Sequence, residues 1–181
     1  MTILTLAECG LSWESGSPEE TERLGAALGR CLRPGDVVAL LGDLGSGKTV
    51  LVRGMAAGLG CRLEDVHSPS FTLVNEYAYP RPQDGGFLRK SSWLAHVDLY
   101  RIQSAADVPG IGWDEYMGSR YVVAVEWAER AAGFLPRDHL RVHLAVQAAD
   151  RRRVCVEATG PRSVVLLREW AGTLGPIAGA G

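Results

Sequence analysis

Gly42-Asp43-Leu44-Gly45-Ser46-Gly47-Lys48-Thr49 follows directly after the apolar run Val37–Leu41 in this chain of 181 residues. The first and sixth positions are glycine and the last two are lysine and threonine, which is the pattern of a phosphate-binding loop. Glycines allow backbone N–H groups to turn toward phosphate oxygens without a Cβ in the way. Lys48 would contact the β- and γ-phosphates, and the Thr49 hydroxyl would hold Mg²⁺. The stretch therefore predicts that a nucleotide binds at the start of a helix.

The residues expected to touch the nucleotide are the loop itself and the first turn of the helix after it. They are Asp43, Leu44, Gly45, Ser46, Gly47, Lys48, Thr49 and Val50. Glycine is common in this chain, with 22 copies, but lysine occurs only at Lys48 and Lys90. A lysine at the position where the motif needs it therefore favours a phosphate-binding loop over an ordinary corner between a strand and a helix.

The composition is typical of a globular protein that stays in water. Hydrophobic residues make up 46% of the chain and charged residues 22%, which argues against global disorder. The formal net charge of -2 gives no support for strong nonspecific binding to nucleic acid or to a membrane. The four cysteines form no C-x-x-C pair, so buried thiols are expected in place of a zinc site. The chain shows neither a signal peptide pattern nor an apolar run of transmembrane length, so we expect a cytoplasmic protein.

The spacing of apolar residues predicts an α/β protein in which strands alternate with helices. We expect strands over 36–41, 71–79, 93–99 and 121–126, a first strand at 3–7 or 11–14, and a terminal hairpin of 139–146 with 153–158. Helices are expected from a cap at Ser17 to about Arg33, and over 48–59, 127–132 and 164–174. Shorter helices are expected at 104–107 and 112–117.

These elements fit a P-loop NTPase fold, a three-layer sandwich around a mixed, centrally parallel sheet with antiparallel terminal strands. We expect a single domain over 1–181, with frayed ends at 1–10 and 175–181. The stretch 79–91 contains prolines, glycines and charges, and it is expected to be an exposed loop.

Two carboxylates follow apolar strands in the predicted sheet. Asp98 ends one strand and Glu126 ends another. Because phosphate sites in such sheets lie at the carboxyl ends of the strands, both side chains are candidates for holding Mg²⁺ beside Thr49. Glu126 could instead orient the attacking water. We therefore assign a catalytic role to Lys48, Asp98 and Glu126; the alternatives are a turn-capping aspartate and a glutamate that starts a helix.

Other polar residues near these strands are weaker candidates. Ser68, Ser70 and Thr72 stand between the loop helix and the next strand, where hydroxyls sense the γ-phosphate in many such proteins. Trp127 could gate the site or cover the nucleotide, although it could also be a core residue. Arg151, at the turn of the terminal hairpin, is a candidate nucleotide or partner contact, with a solvated turn as the alternative.

The base is expected to be adenine. Arg101 stands three residues after Asp98, where a GTPase would have glycine, and the chain contains no N-K-x-D guanine reader. ATP with Mg²⁺ is therefore the expected pair of ligands.

Four motifs in order resemble the TsaE family (formerly YjeE), the ATPase of bacterial tRNA threonylcarbamoyladenosine synthesis. Gly42–Thr49 is similar to the family's G-D-L-G-[AS]-G-K-T loop, and 68–73 to its S-P-T-[FY]-T-L segment. The stretch 96–101 is similar to its H-x-D-L-Y-R, and 125–127 to its V-E-W. The resemblance runs from about Glu20 to about Val156, most of the chain.

The resemblance implies a role for the matched residues and for the whole protein. Lys48 and the loop amides would bind ATP, Thr49 and Glu126 would hold Mg²⁺ with support from Asp98, and Trp127 and the segment 68–72 would respond to the nucleotide. The partners implied are TsaB and TsaD, which modify adenosine 37 of tRNAs that read ANN codons, so contact with tRNA would be indirect. The expected activity is slow ATP hydrolysis that these partners stimulate and that resets their complex.

Two other functions fit the same loop. A small-molecule kinase would transfer the γ-phosphoryl group to an acceptor hydroxyl, with Arg81 and Arg89 of the 79–91 stretch on a lid. A nonhydrolysing nucleotide switch would bind ATP and not turn it over, although two acidic strand ends beside the loop argue for hydrolysis.

Overall fold

A computed structural model of the protein describes residues 10–80 and 92–174. The alternative first strand at 3–7, nearly all of the expected frayed ends and most of the expected exposed loop lie outside these residues. Arg81, Arg89 and Lys90 also lie outside them.

The described strands form one sheet of seven with the order β1-β7-β6-β2-β5-β4-β3. The strands are β1 (Leu11–Ser15), β2 (Val37–Leu41), β3 (Val74–Tyr79), β4 (Ser92–Asp98), β5 (Tyr121–Glu126), β6 (Leu140–Val146) and β7 (Arg152–Ala158). Strands β6, β2, β5 and β4 run parallel, whereas β1, β7 and β3 pair antiparallel at the two sides. The predicted mixed sheet with a parallel centre is confirmed.

Helices cover both faces of this sheet. The α-helices are α1 (Pro18–Gly29), α2 (Lys48–Leu59), α3 (Trp113–Tyr116) and α4 (Pro161–Thr173), and 3₁₀ helices span Leu63–Asp65, Ala105–Ile111 and Ala128–Ala131. The long helices α1, α2 and α4 share a core with alternate strand residues such as Val38, Leu40 and Leu94. Val37, Ala39 and Val123 face the second core, which the shorter helices close. The sheet therefore lies between two helical layers, as predicted.

Several predicted boundaries differ from those in the structure, among them the start of α4 at Pro161 and not at 164. Strand β3 starts at Val74, not at 71, because Leu73 has a φ of 66° and the residues before it form a turn. Helix α1 ends at Gly29, short of Arg33. The expected helix over 127–132 is a 3₁₀ turn over Ala128–Ala131, since Trp127 has a φ of 58° and cannot join it. Helix α2 and strand β5 have the predicted bounds.

Helices α1 and α2 pack through glycine. A Cβ added to Gly25 would lie 2.2 Å from the Leu51 carbonyl oxygen, and one added to Gly54 would lie 2.1 Å from the Glu22 carbonyl oxygen. Gly29 and Gly58 make equally close contacts one turn further along. Because the two backbones touch, α1 fixes the position of α2, the helix that starts at the end of the phosphate-binding motif.

Strand β2 is the centre of the sheet and aims the phosphate-binding motif. Val37, Val38, Ala39 and Leu40 are all buried, because β2 has a parallel neighbour on each side and a helical layer on each face. The chain leaves β2 at its carboxyl end and enters α2 after six residues. No described helix has the length and apolar character that crossing a membrane requires.

Candidate nucleotide-binding site

The loop between β2 and α2 has a backbone that requires glycine. Gly42, Gly45 and Gly47 have φ values of 134°, 76° and 100°, in the region that side chains rarely adopt. At Gly42 a Cβ would also lie 2.3 Å from the Leu144 carbonyl oxygen of β6. Gly47 is the N-cap of α2 and supplies no side-chain cap, so the first amides of that helix are left for another acceptor.

Lys48 is buried at the start of α2, with 4% of the residue exposed. Its ammonium donates hydrogen bonds to the carbonyl oxygens of Gly42 at 2.6 Å and Asp43 at 2.9 Å, so it lies back across the loop. Burial lowers the pKa of Lys48, and the carboxylates of Glu126, Glu129, Asp98 and Asp43 oppose that shift. A phosphate group at the loop would favour the charged ammonium strongly, since the present partners are neutral carbonyls.

Glu126 is the last residue of β5, and its side chain contacts the start of α2. The Thr49 hydroxyl donates to Glu126 Oε1 at 2.8 Å. The Nε2 atom of His96, on the neighbouring strand β4, lies 2.8 Å from the same oxygen. Glu126 is 3% exposed and His96 is fully buried. One carboxylate oxygen therefore joins β4, β5 and α2 at the carboxyl ends of the parallel strands.

Asp98 lies next to Glu126, because these residues pair in the β4–β5 register. The hydroxyls of Ser68 and Ser70 donate to Asp98 Oδ2 at 3.1 and 2.7 Å, and the Tyr100 amide donates to Oδ1 at 2.9 Å. Both carboxylate oxygens are therefore occupied by donors. Asp98 holds the segment that carries the two serines, and that contact places them at the same edge of the sheet.

Trp127 covers Lys48. The lysine Nζ atom lies 4.0 Å from the centroid of the indole ring. Trp127 also lies beside Tyr100, with ring centroids 5.1 Å apart, and Arg130, whose Cζ atom is 5.8 Å from the centroid of the indole ring. Trp127 holds a left-handed backbone conformation that costs a non-glycine residue free energy, of order 1–3 kcal/mol. The ring therefore lies over the ammonium that the motif assigns to phosphate.

The nucleotide or partner contact assigned to Arg151 stays a prediction, and the structure shows a loop contact at its neighbour Arg152. Arg151 is exposed in the β6–β7 turn, whereas Arg152 donates from Nη2 to the Gly45 carbonyl oxygen at 3.3 Å. Arg152 Nη1 also donates to the carbonyl oxygens of Ala148, Ala149 and Arg151. The β6–β7 turn is thus attached to the phosphate-binding loop through Arg152.

The remaining predicted residues are Thr72, the exposed part of the loop and the first turn of α2. Thr72 turns away from the carboxylates and donates to Asn75 Oδ1 at 2.9 Å. Leu44 is 75% exposed, and Asp43 and Gly45 are also exposed along the loop, whereas Ser46 is buried. Val50 lies in the first turn of α2, partly buried. The structure thus brings Lys48 and Thr49 together with the two carboxylates, but not Thr72.

The geometry fits a magnesium-bound nucleotide. The buried Ser46 hydroxyl has no hydrogen-bond partner in the described part of the chain, and the amides at the start of α2 have no cap. Thr49 and Glu126 offer two oxygen ligands, the set that Mg²⁺ takes when phosphates and water complete its shell. Among residues 10–80 and 92–174 there is no cluster of three His, Cys, Asp or Glu that would hold a metal alone. The residues present therefore suit Mg²⁺ together with a phosphate ligand.

Sequence reasoning missed the part that two residues play in this arrangement. His96 stands in the H-x-D-L-Y-R stretch but is not among the predicted site residues. Its position two residues before Asp98, on the same face of a buried strand, could have indicated that it lies at the site. Arg152 had no signal beyond the run of three arginines, because only the fold brings the β6–β7 turn to Gly45.

The chain matches known proteins over most of its length. The family model described as threonylcarbamoyl adenosine biosynthesis protein TsaE matches residues 15–154. The tRNA threonylcarbamoyladenosine biosynthesis protein TsaE of Bacillus subtilis is 35% identical over 159 residues, which cover 88% of this chain and 92% of that protein. The protein of the same name from Treponema pallidum is 39% identical over 142 residues, covering 78% and 96% of the two chains.

The fold is also similar to a solved structure. The crystal structure of Bacillus subtilis YdiB aligns with a TM-score of 0.68 and 32% sequence identity, covering 90% of this chain and 94% of that one. The family model and the structural likeness each cover most of the chain, and the chain belongs to the TsaE family.

Proposed function

We propose that this protein is a cytoplasmic, Mg²⁺-dependent ATPase that acts with TsaB and TsaD in threonylcarbamoyladenosine modification of tRNA. The observation that carries the proposal is the 2.8 Å contact between the Thr49 hydroxyl and the Glu126 carboxylate. It joins the start of α2 to the end of β5, so a metal ligand of the loop and a strand-end carboxylate meet where phosphates would bind. Membership of the TsaE family supports the role in tRNA modification.

Each residue of the site has a task in this proposal. Lys48 would exchange its two carbonyl partners for phosphate oxygens, and the loop amides would bind the remaining oxygens. Thr49 and Glu126 would hold Mg²⁺, which supplies charge stabilisation to the transferring phosphoryl group. Asp98 would keep the Ser68–Ser70 segment beside the metal and orient water. Trp127 would move off Lys48 when phosphate binds, because ring and phosphate compete for the same ammonium.

The test is the rate of phosphate release from ATP by the purified protein, with and without Mg²⁺ and with and without the TsaB–TsaD pair. We expect slow release that requires Mg²⁺ and that rises when the pair is added. Absence of both turnover and binding to the pair would contradict the proposal. Phosphorylation of an added acceptor would support the kinase alternative, and tight ATP binding without turnover in any mixture would support the switch.

Three single-residue variants distinguish loss of the site's function from a general loss of folding. Lys48→Ala should abolish phosphate binding, since no other ammonium lies at the loop within the described residues. Glu126→Ala should reduce turnover by at least about a hundredfold, a usual cost of removing one electrostatic contact in a phosphate site. Arg62→Ala is the matched control, because this cation has a side chain that is 78% exposed and pairs with Glu64 on the surface. Equal loss in all three variants would show that the effect is not specific to the site.

A further inference from the structure

His96 is an unusual residue for the centre of a sheet. It has 0% exposure on β4 and pairs in register with Ala124 of β5 and Asn75 of β3. Its Nε2 atom is 2.8 Å from Glu126 Oε1, while its Nδ1 atom is buried without a hydrogen-bond partner among the described residues. A buried polar atom without a partner costs free energy, so the position is poorly suited to a residue that serves packing alone.

The direction of the hydrogen bond follows from its partner. An ionised carboxylate only accepts hydrogen bonds, so His96 donates from Nε2 and Glu126 Oε1 accepts. The same oxygen accepts from the Thr49 hydroxyl. Among the described residues Oε1 takes both hydrogen bonds, and they approach it from two different elements. His96 thus restricts the rotation of the glutamate side chain about its terminal bonds.

We propose that His96 is a positioning residue for Glu126, holding the carboxylate in the orientation that Mg²⁺ with bound ATP requires. This rests on the proposed function. Ligands of a metal are commonly oriented by a hydrogen bond from a second residue, and loss of that residue costs about 10–100-fold in metal affinity or activity. His96 acts here through Glu126 and touches neither nucleotide nor metal.

The packing around His96 allows a positioning role to be distinguished from a purely structural one. Its ring faces the core that contains Leu94 and Tyr77, with its centroid 6.4 Å from that of the tyrosine ring. Leucine would fill a similar volume there and would bury no unpaired nitrogen. A purely structural histidine would therefore be replaced by leucine without loss of Mg²⁺ binding, whereas a positioning histidine would not.

The experiment compares His96→Leu and His96→Gln with the wild type. We would titrate Mg²⁺ into the protein with the ATP analogue AMP-PNP by calorimetry, measure ATP turnover, and follow thermal unfolding. For His96→Leu we expect a folded protein with a somewhat lower unfolding temperature, because the buried Glu126 carboxylate loses one of its two hydrogen-bond donors. Analogue binding without Mg²⁺ should be unchanged, and the Mg²⁺ requirement should rise 10–100-fold, about the cost of losing such a support. His96→Gln, whose amide can donate to Glu126, should recover part of the loss. Leu94→Val is the control for a change in packing on the same face of β4.

A double-mutant cycle tests whether the effect passes through Glu126. In a Glu126→Gln background, the additional change His96→Leu should alter Mg²⁺ dependence hardly at all, since the group that His96 orients has been changed. Full additivity would overturn the inference, as would a folded His96→Leu protein with the wild-type Mg²⁺ requirement. If the wild type itself binds AMP-PNP without any dependence on Mg²⁺, the proposed function fails and the inference fails with it.

Discussion

Replacement of Gly54 by alanine tests the contact between α1 and α2. The new Cβ would lie 2.1 Å from the Glu22 carbonyl oxygen and 2.9 Å from the Gly25 Cα atom. Ordinary van der Waals contact begins at 3.4 Å, and the obstructing atoms belong to the backbone, so no side chain can rotate away. The two helices would have to separate by roughly 1 Å, which weakens dispersion contacts along the whole interface.

The expected cost is the balance of two terms. Overpacking a core costs typically about 1–3 kcal/mol, and a clash with backbone belongs at the upper end of that range or above it. Alanine in place of glycine inside a helix returns about 1 kcal/mol of helix propensity. We therefore expect a net loss of about 2 kcal/mol in the free energy of unfolding. For a chain of this size, that corresponds to a fall in Tm of roughly 4–8 °C.

Urea unfolding followed by circular dichroism measures this loss. The matched control is Gly172→Ala, because Gly172 lies in helix α4 and an added Cβ has nothing within 4 Å. The control should be neutral or more stable by up to about 1 kcal/mol, since only the propensity term applies. If Gly54→Ala were as stable as Gly172→Ala, the close glycine packing of α1 on α2 would be refuted.

Three further outcomes are expected. Ser17→Ala should lower the free energy of unfolding by about 1 kcal/mol in chemical denaturation, because the Ser17 hydroxyl accepts the Glu20 amide at the start of α1. Burial raises the pKa of the Cys61 thiol to about 12, so its reaction with a thiol reagent at neutral pH should require unfolding. Burial and the Glu76 carboxylate raise the pKa of Tyr116 to about 12. The contribution of this phenol to the free energy of unfolding is therefore fully present below its ordinary pKa of 10.0, and it is lost as the pH rises through about 12. An ultraviolet titration of Tyr116→Phe against wild type checks this, and an ordinary phenol pKa would contradict it.

Short-range patterns determined the local elements of this protein. Glycines at 42, 45 and 47 permit the positive φ values that the phosphate-binding loop needs, and Gly60, with a φ of 88°, ends α2 where the sequence predicts. The uninterrupted apolar run of β5 predicts a strand buried on both faces, and all six of its residues are buried. Trp127 was misplaced in a helix because sequence spacing does not reveal a left-handed φ at a bulky residue.

The sequence by itself determined the loop, the order of strands and helices, and the chemistry of its strand ends, since each depends on neighbouring residues. Only the tertiary structure decided which atoms meet. Thr49 and Glu126 are separated by 77 positions, and His96 and Glu126 by 30, so no periodicity places them on one oxygen. Parallel pairing of β2, β4 and β5 aligns the carboxyl ends of the strands, and that alignment sets the distances within the site.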